Sequence, residues 1–271
     1  MTPPSDWSPG AGPWSPGAGV DPTATATSHA ATLRALHRPG HPLLLPNAWD
    51  VPSARIVEAT GFGAVATSSA AVADTLGYAD GEATPVGEML DAIARIVRAV
   101  RVPVTADFER GYRLRPAELV ERLAATGVAG CNLEDSDPVT GAMIDPARQA
   151  AFLAAVRDAA RSAGVDLVVN ARIDSFLNGT GTPEAHLADA ADRARQYFAA
   201  GADCVYPILL ADLPMIRSFV AEAGSPVNIL GRPDAGPAPA ELAACGVARI
   251  SYGSRMHATV QAHLAALVAS L

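Results

Sequence analysis

From about residue 29 one short unit recurs to the end of the chain. An apolar, β-rich run comes first, then a loop with polar or Gly residues, then a helix rich in Ala, Leu and Arg. Strands are expected at 42–46, 63–67, 102–108, 130–134, 167–172, 204–207, 227–230 and 248–252. Helices are expected at 52–60, 85–100, 116–126, 146–163, 183–200, 213–223, 239–244 and 257–270. Several helices open with Pro near the first turn (Pro52, Pro85, Pro116, Pro146, Pro183), where a missing N–H does no harm. Several end at a Gly just before the next strand (Gly61, Gly127, Gly164, Gly201, Gly246), the usual helix stop. Eight such units predict an α/β fold, a (β/α)8 TIM barrel. A doubly wound open sheet is the runner-up, but no G-x-G-x-x-G follows the first strand.

Composition narrows the class. Of 271 residues 49% are hydrophobic, enough for a large core. The 20 basic residues are outnumbered by 28 acidic ones and form no run, which argues against nucleic acid as a partner. No stretch of about 20 apolar residues is present, so no membrane span is expected. Cys131, Cys204 and Cys245 are scattered and read as free buried thiols in a reducing cytoplasm. Residues 1–28 differ from the rest. WSPGAGP (7–13) and WSPGAGV (14–20) form a tandem repeat in a Pro/Gly/Ser/Thr/Ala-rich stretch without Lys or Arg. This stretch reads as a disordered tail, ahead of a catalytic barrel domain at 29–271.

A barrel places its active site at the C-terminal ends of the strands. Polar residues gather there. Asn47 and Asp50 end the first strand; Thr67, Ser68 and Ser69 end the second, with Asp80 in its loop. Asn132 and Glu134 share one face of the fourth strand; Asn170, Arg172 and Asp174 share one face of the fifth. Tyr206, Asn228, Arg232, Ser251 and Ser254 close the last three.

The third strand carries the sharpest signal, PVTADFERGY (103–112). Asp107 and Glu109 fall on one face at its end. With Glu134 from the neighbouring strand they form three carboxylates without a nearby Lys, a set that calls for Mg²⁺ or Mn²⁺, partly through water. Arg172 then suits an anionic group of a substrate, and the Ser68–Ser69 turn adds hydroxyl and N–H donors. Metal, Arg and N–H donors together can stabilise an enolate or a phosphoryl group.

These residues resemble the isocitrate lyase / phosphoenolpyruvate mutase superfamily. The matching segments are PNAWDVPSARIVEATGF (46–62), ATSSAAVADTLGYAD (66–80), PVTADFERGY (103–112), GVAGCNLEDS (127–136), VNARID (169–174) and GVARISYGS (246–254). The resemblance implies a barrel, often a homotetramer with a swapped eighth helix, and Mg²⁺ near Asp107, Glu109 and Glu134. It implies a substrate carboxylate against Ser68, Ser69 and Arg172, with Asp80 beside the reacting group. It implies cleavage or rearrangement next to a 2-oxo acid carbon, through a metal-bound enolate.

One segment departs from the pattern. Lyases of this family carry a Lys-(Lys/Arg)-Cys-Gly-His loop after the fourth strand, and mutases a Lys and an Asn-Ser. This chain reads SDPVTGAMID (136–145) there. The loop has the position of a lid but no evident chemical group. Tyr112, Asp80, Tyr78 and Tyr206 are the proton-donor candidates, and Asn170 and Asn228 are candidate substrate contacts. Gly253–Ser254 resembles the phosphate corner of many barrels, although in this family the anion sits elsewhere.

The expectation is a Mg²⁺-dependent lyase acting on a small 2-oxo or 2-hydroxy carboxylate, by C–C cleavage or decarboxylation. A phosphoenolpyruvate or phosphonopyruvate mutase or hydrolase is the alternative. A barrel that binds a small acid without turnover is the third.

Overall fold

The computed structural model describes residues 22–224, 226–232 and 235–271. The tandem repeat at 7–20 lies outside them. Nine short strands and eleven helices alternate along the described residues. The strands are β1 Leu43–Leu45, β2 Asn47–Ala48, β3 Val65–Thr67, β4 Val104–Asp107, β5 Gly130–Glu134, β6 Val168–Ile173, β7 Cys204–Pro207, β8 Asn228–Leu230 and β9 Arg249–Ser251. Each falls in or beside an expected run. The first expected strand is split at Pro46, whose missing N–H interrupts the ladder, and appears as β1 and β2.

All pairings between these strands are parallel. One sheet runs β2-β3-β4-β5-β6-β7 and the other β1-β9-β8. They meet at two seams. At one, the first strand pairs with β9 through β1 and with β3 through β2. At the other, a parallel bridge joins Val205 to Val227. The neighbour order expected of an eight-stranded barrel is therefore kept.

The helices are α1 Pro22–Leu36, α2 Val51–Ala59, α3 Ser69–Leu76, α4 Val86–Ala99, α5 Pro116–Thr126, α6 Pro146–Ser162, α7 Ser175–Asn178, α8 Pro183–Ala199, α9 Leu213–Ala223, α10 Pro239–Ala244 and α11 Arg255–Ala269. Side-chain oxygens of Asp145, Thr182 and Asp212 cap α6, α8 and α9, each followed by Pro in the first turn. Three helices were not expected: α1, α3 and α7. The local signal for α3 was present in Ser68 as N-cap and Gly77 as left-handed C-cap, but the apolar run of β3 continues into it and hides the boundary.

Helix α1 corrects the expected tail boundary, because it begins at Pro22, inside the stretch 1–28. Its Ala30 and Leu33 are fully buried against Leu43, Leu45, Ala66 and Val168, so α1 plugs the N-terminal end of the strands. Packing, rather than an apolar stripe legible in TATATSHAATL, stabilises it. His37, expected near an exposed start, is buried in the same region, with Nδ1 2.7 Å from the Leu33 carbonyl.

Register and alternation decide which side chains face the barrel interior. Asp107 is level with Asn132, Asn132 with Asn170, and Asn170 with Cys204; one step higher, Glu134 is level with Arg172 and Arg172 with Tyr206. The intervening Ala106, Leu133, Ala171 and Val205 join the core under the helices. At the other end of the chain, α11 buries only His257. Its Val260, Leu264, Leu267 and Val268 are exposed.

Candidate active site

A cavity of about 450 Å³ opens at the C-terminal ends of the strands. It is lined by Asn47, Ser68, Ser69, Asp80, Asp107, Asn132, Arg172, Tyr206, Ser251, Tyr252 and Arg255, with apolar Ile208, Leu230 and Ala258.

Asp107 ends β4, and Ser69 fixes one of its oxygens. The Ser69 N–H and hydroxyl both donate to Oδ2, at 3.0 and 2.9 Å. Ser69 can do so because it opens α3, whose first-turn N–H groups have no helical acceptor. The Asp107 N–H donates to Thr67 Oγ1 at 2.9 Å, tying β4 to β3. Among the described residues Oδ1 of Asp107 receives no donor. Asp80 faces the same group, with the Ser69 hydroxyl 3.4 Å from its Oδ1. Burial, and then the Asp107 charge, hold the Asp80 carboxyl above the usual range.

Glu109 lies behind this pair in a strained knot. Its two oxygens accept from the Tyr112 hydroxyl at 2.7 Å and the Glu82 N–H at 2.5 Å. Glu82 in turn accepts from the Tyr112 N–H at 2.6 Å. Glu82, Glu109, Tyr112 and Arg113 all have positive φ, a costly arrangement for residues with side chains. Gly111, at φ 95, lets the turn pack against α5, since a Cβ there would stand 2.6 Å from the Leu119 side chain. Burial pushes the Glu109 carboxyl up to about 7, helped by Asp80 and Asp107.

Arg172 is held between two carboxylates. Its Nη1 lies 2.6 Å from Glu134 Oε2, and its Nε lies 2.7 Å from Asp174 Oδ1. The Ser136 hydroxyl also donates to Asp174, and the Asp174 N–H donates to Asp135. Asp135 receives Arg193 and the Tyr197 hydroxyl as well, so the root of the 136–145 loop is tied to α8. Burial pushes the Glu134 carboxyl up, against the pull of the Arg172 guanidinium.

The structure brings Ser68, Ser69, Asp80, Asp107 and Arg172 together around one cavity. Glu109, Glu134 and Tyr112 sit outside its lining. Asn170 and Asn228 lie beneath: Asn170 donates to Asn132 at 2.8 Å, and Asn228 donates to Ser251 at 3.0 Å. Of the other proton-donor candidates, Tyr78 bonds Glu88 on the surface, whereas Tyr206 lines the cavity. Two polar lining residues were missed, Tyr252 and Arg255. They follow the last strand, and the only local signal was that position.

Among the described residues, no three His, Cys, Asp or Glu side chains stand close enough to hold a metal ion by themselves. Asp107, Glu109 and Glu134 are thus no ready-made cage. The oxygen-only donor set, the free Oδ1 of Asp107 and the raised carboxyls of Asp80 and Glu109 still fit a hard divalent cation that keeps most of its waters.

A family model described as phosphoenolpyruvate phosphomutase matches residues 33–271. The chain belongs to that family, within the isocitrate lyase / phosphoenolpyruvate mutase superfamily. Protein Rv1998c of Mycobacterium tuberculosis is 36% identical over 219 residues, 81% of this chain and 80% of its own length. An oxaloacetate decarboxylase of Rhodopseudomonas palustris is 30% identical, covering 72% of this chain and 65% of its own. A crystal structure of a phosphonomutase candidate from Burkholderia cenocepacia J2315 superposes with a TM-score of 0.85 at 44% identity, over 89% of this chain and 99% of its own. Relatives of this superfamily are lyases and mutases, and this member is an enzyme of that group. No described helix is long and apolar enough to cross a membrane.

Proposed function

We propose that this family member is a Mg²⁺-dependent carbon–carbon lyase, acting on a small 2-oxo or 2-hydroxy carboxylate by cleavage or decarboxylation. The observation that carries the reading is the Asp107 carboxylate, clamped through Oδ2 by Ser69 and left open at Oδ1 on a cavity shared with Arg172. Asp107 would hold the cation directly, with Glu109 and Glu134 acting through water. When bound, Mg²⁺ supplies positive charge to a developing enolate oxygen.

The chain's own residues do the rest. Ser69 aims Asp107. Arg172, kept in place by Glu134 and Asp174, orients the substrate carboxylate with its remaining N–H groups, and Ser68 stands beside it. When the C–C bond breaks, its electron pair stays on the enolate carbon, and the other fragment leaves as CO2 in decarboxylation or, in cleavage of a hydroxy acid, as a carbonyl compound whose hydroxyl proton passes to water. Asp80 lines the cavity with a carboxyl raised by burial, and it delivers the proton to that carbon. Tyr112 acts from behind by holding Glu109.

The match to a phosphonomutase candidate favours a second reading, a phosphoenolpyruvate or phosphonopyruvate reaction at the same site. Formation of phosphate or phosphoenolpyruvate from phosphonopyruvate would support it. The first reading is tested by calorimetric titration of oxalate, a mimic of the pyruvate enolate, with and without Mg²⁺. Tight binding that needs Mg²⁺ supports it; no binding in either condition rejects it.

The exposed apolar face of α11 supports a homotetramer in which this helix crosses to a neighbour. Leu264→Glu is expected to give smaller particles in light scattering, and an unchanged particle mass would refute the swap. Three buried free thiols, Cys131, Cys204 and Cys245, support a cytoplasmic setting.

A further inference from the structure

Asn132 stands where the cavity meets the polar layer inside the barrel. The β4–β5 ladder sets it beside Asp107: the two are level, and the Phe108 N–H donates to the Asn132 carbonyl at 3.3 Å. Neighbouring strands run about 4.8 Å apart, so a small ligand seated at Asp107 is within reach of the Asn132 amide.

Which atom of that amide meets the ligand is decided from beneath. Asn132 Oδ1 accepts from Asn170 Nδ2 at 2.8 Å and from Arg249 Nη2 at 3.1 Å. Two facing amides alone could exchange roles, since each carries an oxygen and an NH2 group. Arg249 removes that freedom. A guanidinium donates and never accepts, so the Asn132 atom turned to it is an oxygen. Asn132 Nδ2 is left on the cavity side, and among the described residues it has no partner.

Packing does not call for a cation at position 249. Arg249 is fully buried, no carboxylate stands within ion-pair distance of it among the described residues, and its Nε and Nη1 have no hydrogen-bond partner. Burying an unpaired guanidinium is costly. An apolar side chain would fill the same space without that cost, but it could not orient Asn132.

We propose that Asn132 is a ligand-contacting residue that donates from Nδ2 to an oxygen of the substrate seated at Asp107, and that Arg249 is the positioning residue that keeps this amide facing the cavity. The identity of that oxygen rests on the lyase reading: it is the one on which charge develops as the enolate forms. A donor already aimed at it stabilises that charge without reorganising.

The test is calorimetric titration of oxalate with Mg²⁺ into the full chain and its variants. Asn132→Asp keeps the shape of the side chain and gives Arg249 a carboxylate, but presents only oxygen to the cavity. Asn132→Ala removes the donor without adding charge. Both are expected to weaken oxalate about 10- to 100-fold, the worth of a hydrogen bond to a charged group. Arg249→Met lets the two amides exchange roles, so about half of the molecules present the wrong atom and affinity falls about twofold. Arg249→Lys, still only a donor, is expected to keep most of the affinity. Added to Asn132→Ala, Arg249→Met is expected to cost nothing more. Wild-type affinity in either Asn132 variant overturns the contact. A loss from Arg249→Met that is as large in the Asn132→Ala background as in wild type overturns the positioning role. Failure of oxalate to bind wild type rejects the lyase reading, and the same variants are then titrated with phosphonopyruvate. Weaker binding by Asn132→Ala there keeps the contact; equal binding, or none in wild type, removes it.

Discussion

The two ends of the barrel treat charge in opposite ways. At the N-terminal end Asp203 accepts from Arg34 at 2.8 Å, from Arg157, and from the Val169 N–H at 2.7 Å, while Asp166 forms a second bond pair with Arg34. Both of these carboxylates have a cation, and α1 is stapled down as a result. At the C-terminal end Asp80 and Glu109 have no Arg partner among the described residues, and both are held above their ordinary range by burial and by the Asp107 charge. Strain follows the same division. Among the described residues the non-Gly positions with positive φ are Glu82, in the loop between α3 and α4, and Glu109, Tyr112, Arg113 and Leu209, in loops that directly follow β4 and β7. One end is built for stability, and the other keeps uncompensated charge where a cation and an anionic substrate can supply the balance.

Substitutions at the two ends should therefore separate stability from binding. Asp203→Ala leaves Arg34 and Arg157 without their shared acceptor and should destabilise the chain by about 3 kcal/mol in urea unfolding. Oxalate affinity measured below the transition should not change; a loss of affinity would join the two ends. Asp107→Asn should do the reverse. It should weaken Mg²⁺-dependent oxalate binding by more than the ~100-fold that loss of an outer-shell partner brings, with thermal stability equal or higher. A variant that binds like wild type would remove Asp107 from the metal site. Ser69→Ala, which frees Asp107 Oδ2, should weaken the same binding about 10-fold.

The smallest effect is one of pH. The folded-state carboxyl of Glu109 sits near 7, above its ordinary 4.5, so between those values the native state holds more protons than the unfolded one. Stability of the metal-free chain should then fall as pH rises from 4.5 through 7. The melting temperature in chelator should drop on the order of 2–4 °C over that window. Mg²⁺ should reverse the drop, and Glu109→Gln should make it shallower, the remainder coming from Glu134 and Asp135, whose carboxyls burial also raises. A slope unchanged by Glu109→Gln would show that Glu109 is ionised without a metal.

How far each residue could be read from the sequence follows the range of its interactions. The strand positions came through because alternation is local, and the same period put Asp107, Asn132 and Arg172 on the inner face. Asp80, Ser68 and Ser69 were legible from motif and position, and they do line the cavity. The partners of Glu109 were not legible: the left-handed turn that hands its oxygens to Tyr112 and Glu82 has no periodic signature, and Glu82 is 27 residues away. Asn170 and Asn228 face inward as alternation requires, but sit one layer too deep.

What the sequence alone determined is the repeated unit, the family and the polar strand ends, because each depends on residues within a few positions of one another. Tertiary structure decided which carboxylates are free and which are spent. It also decided that α1 plugs the barrel, and that Asn47 takes the N–H groups of Tyr252 and Gly253 from 205 and 206 residues away. Those outcomes are set by burial and by partners brought together only when the sheet has formed, and no local pattern records them.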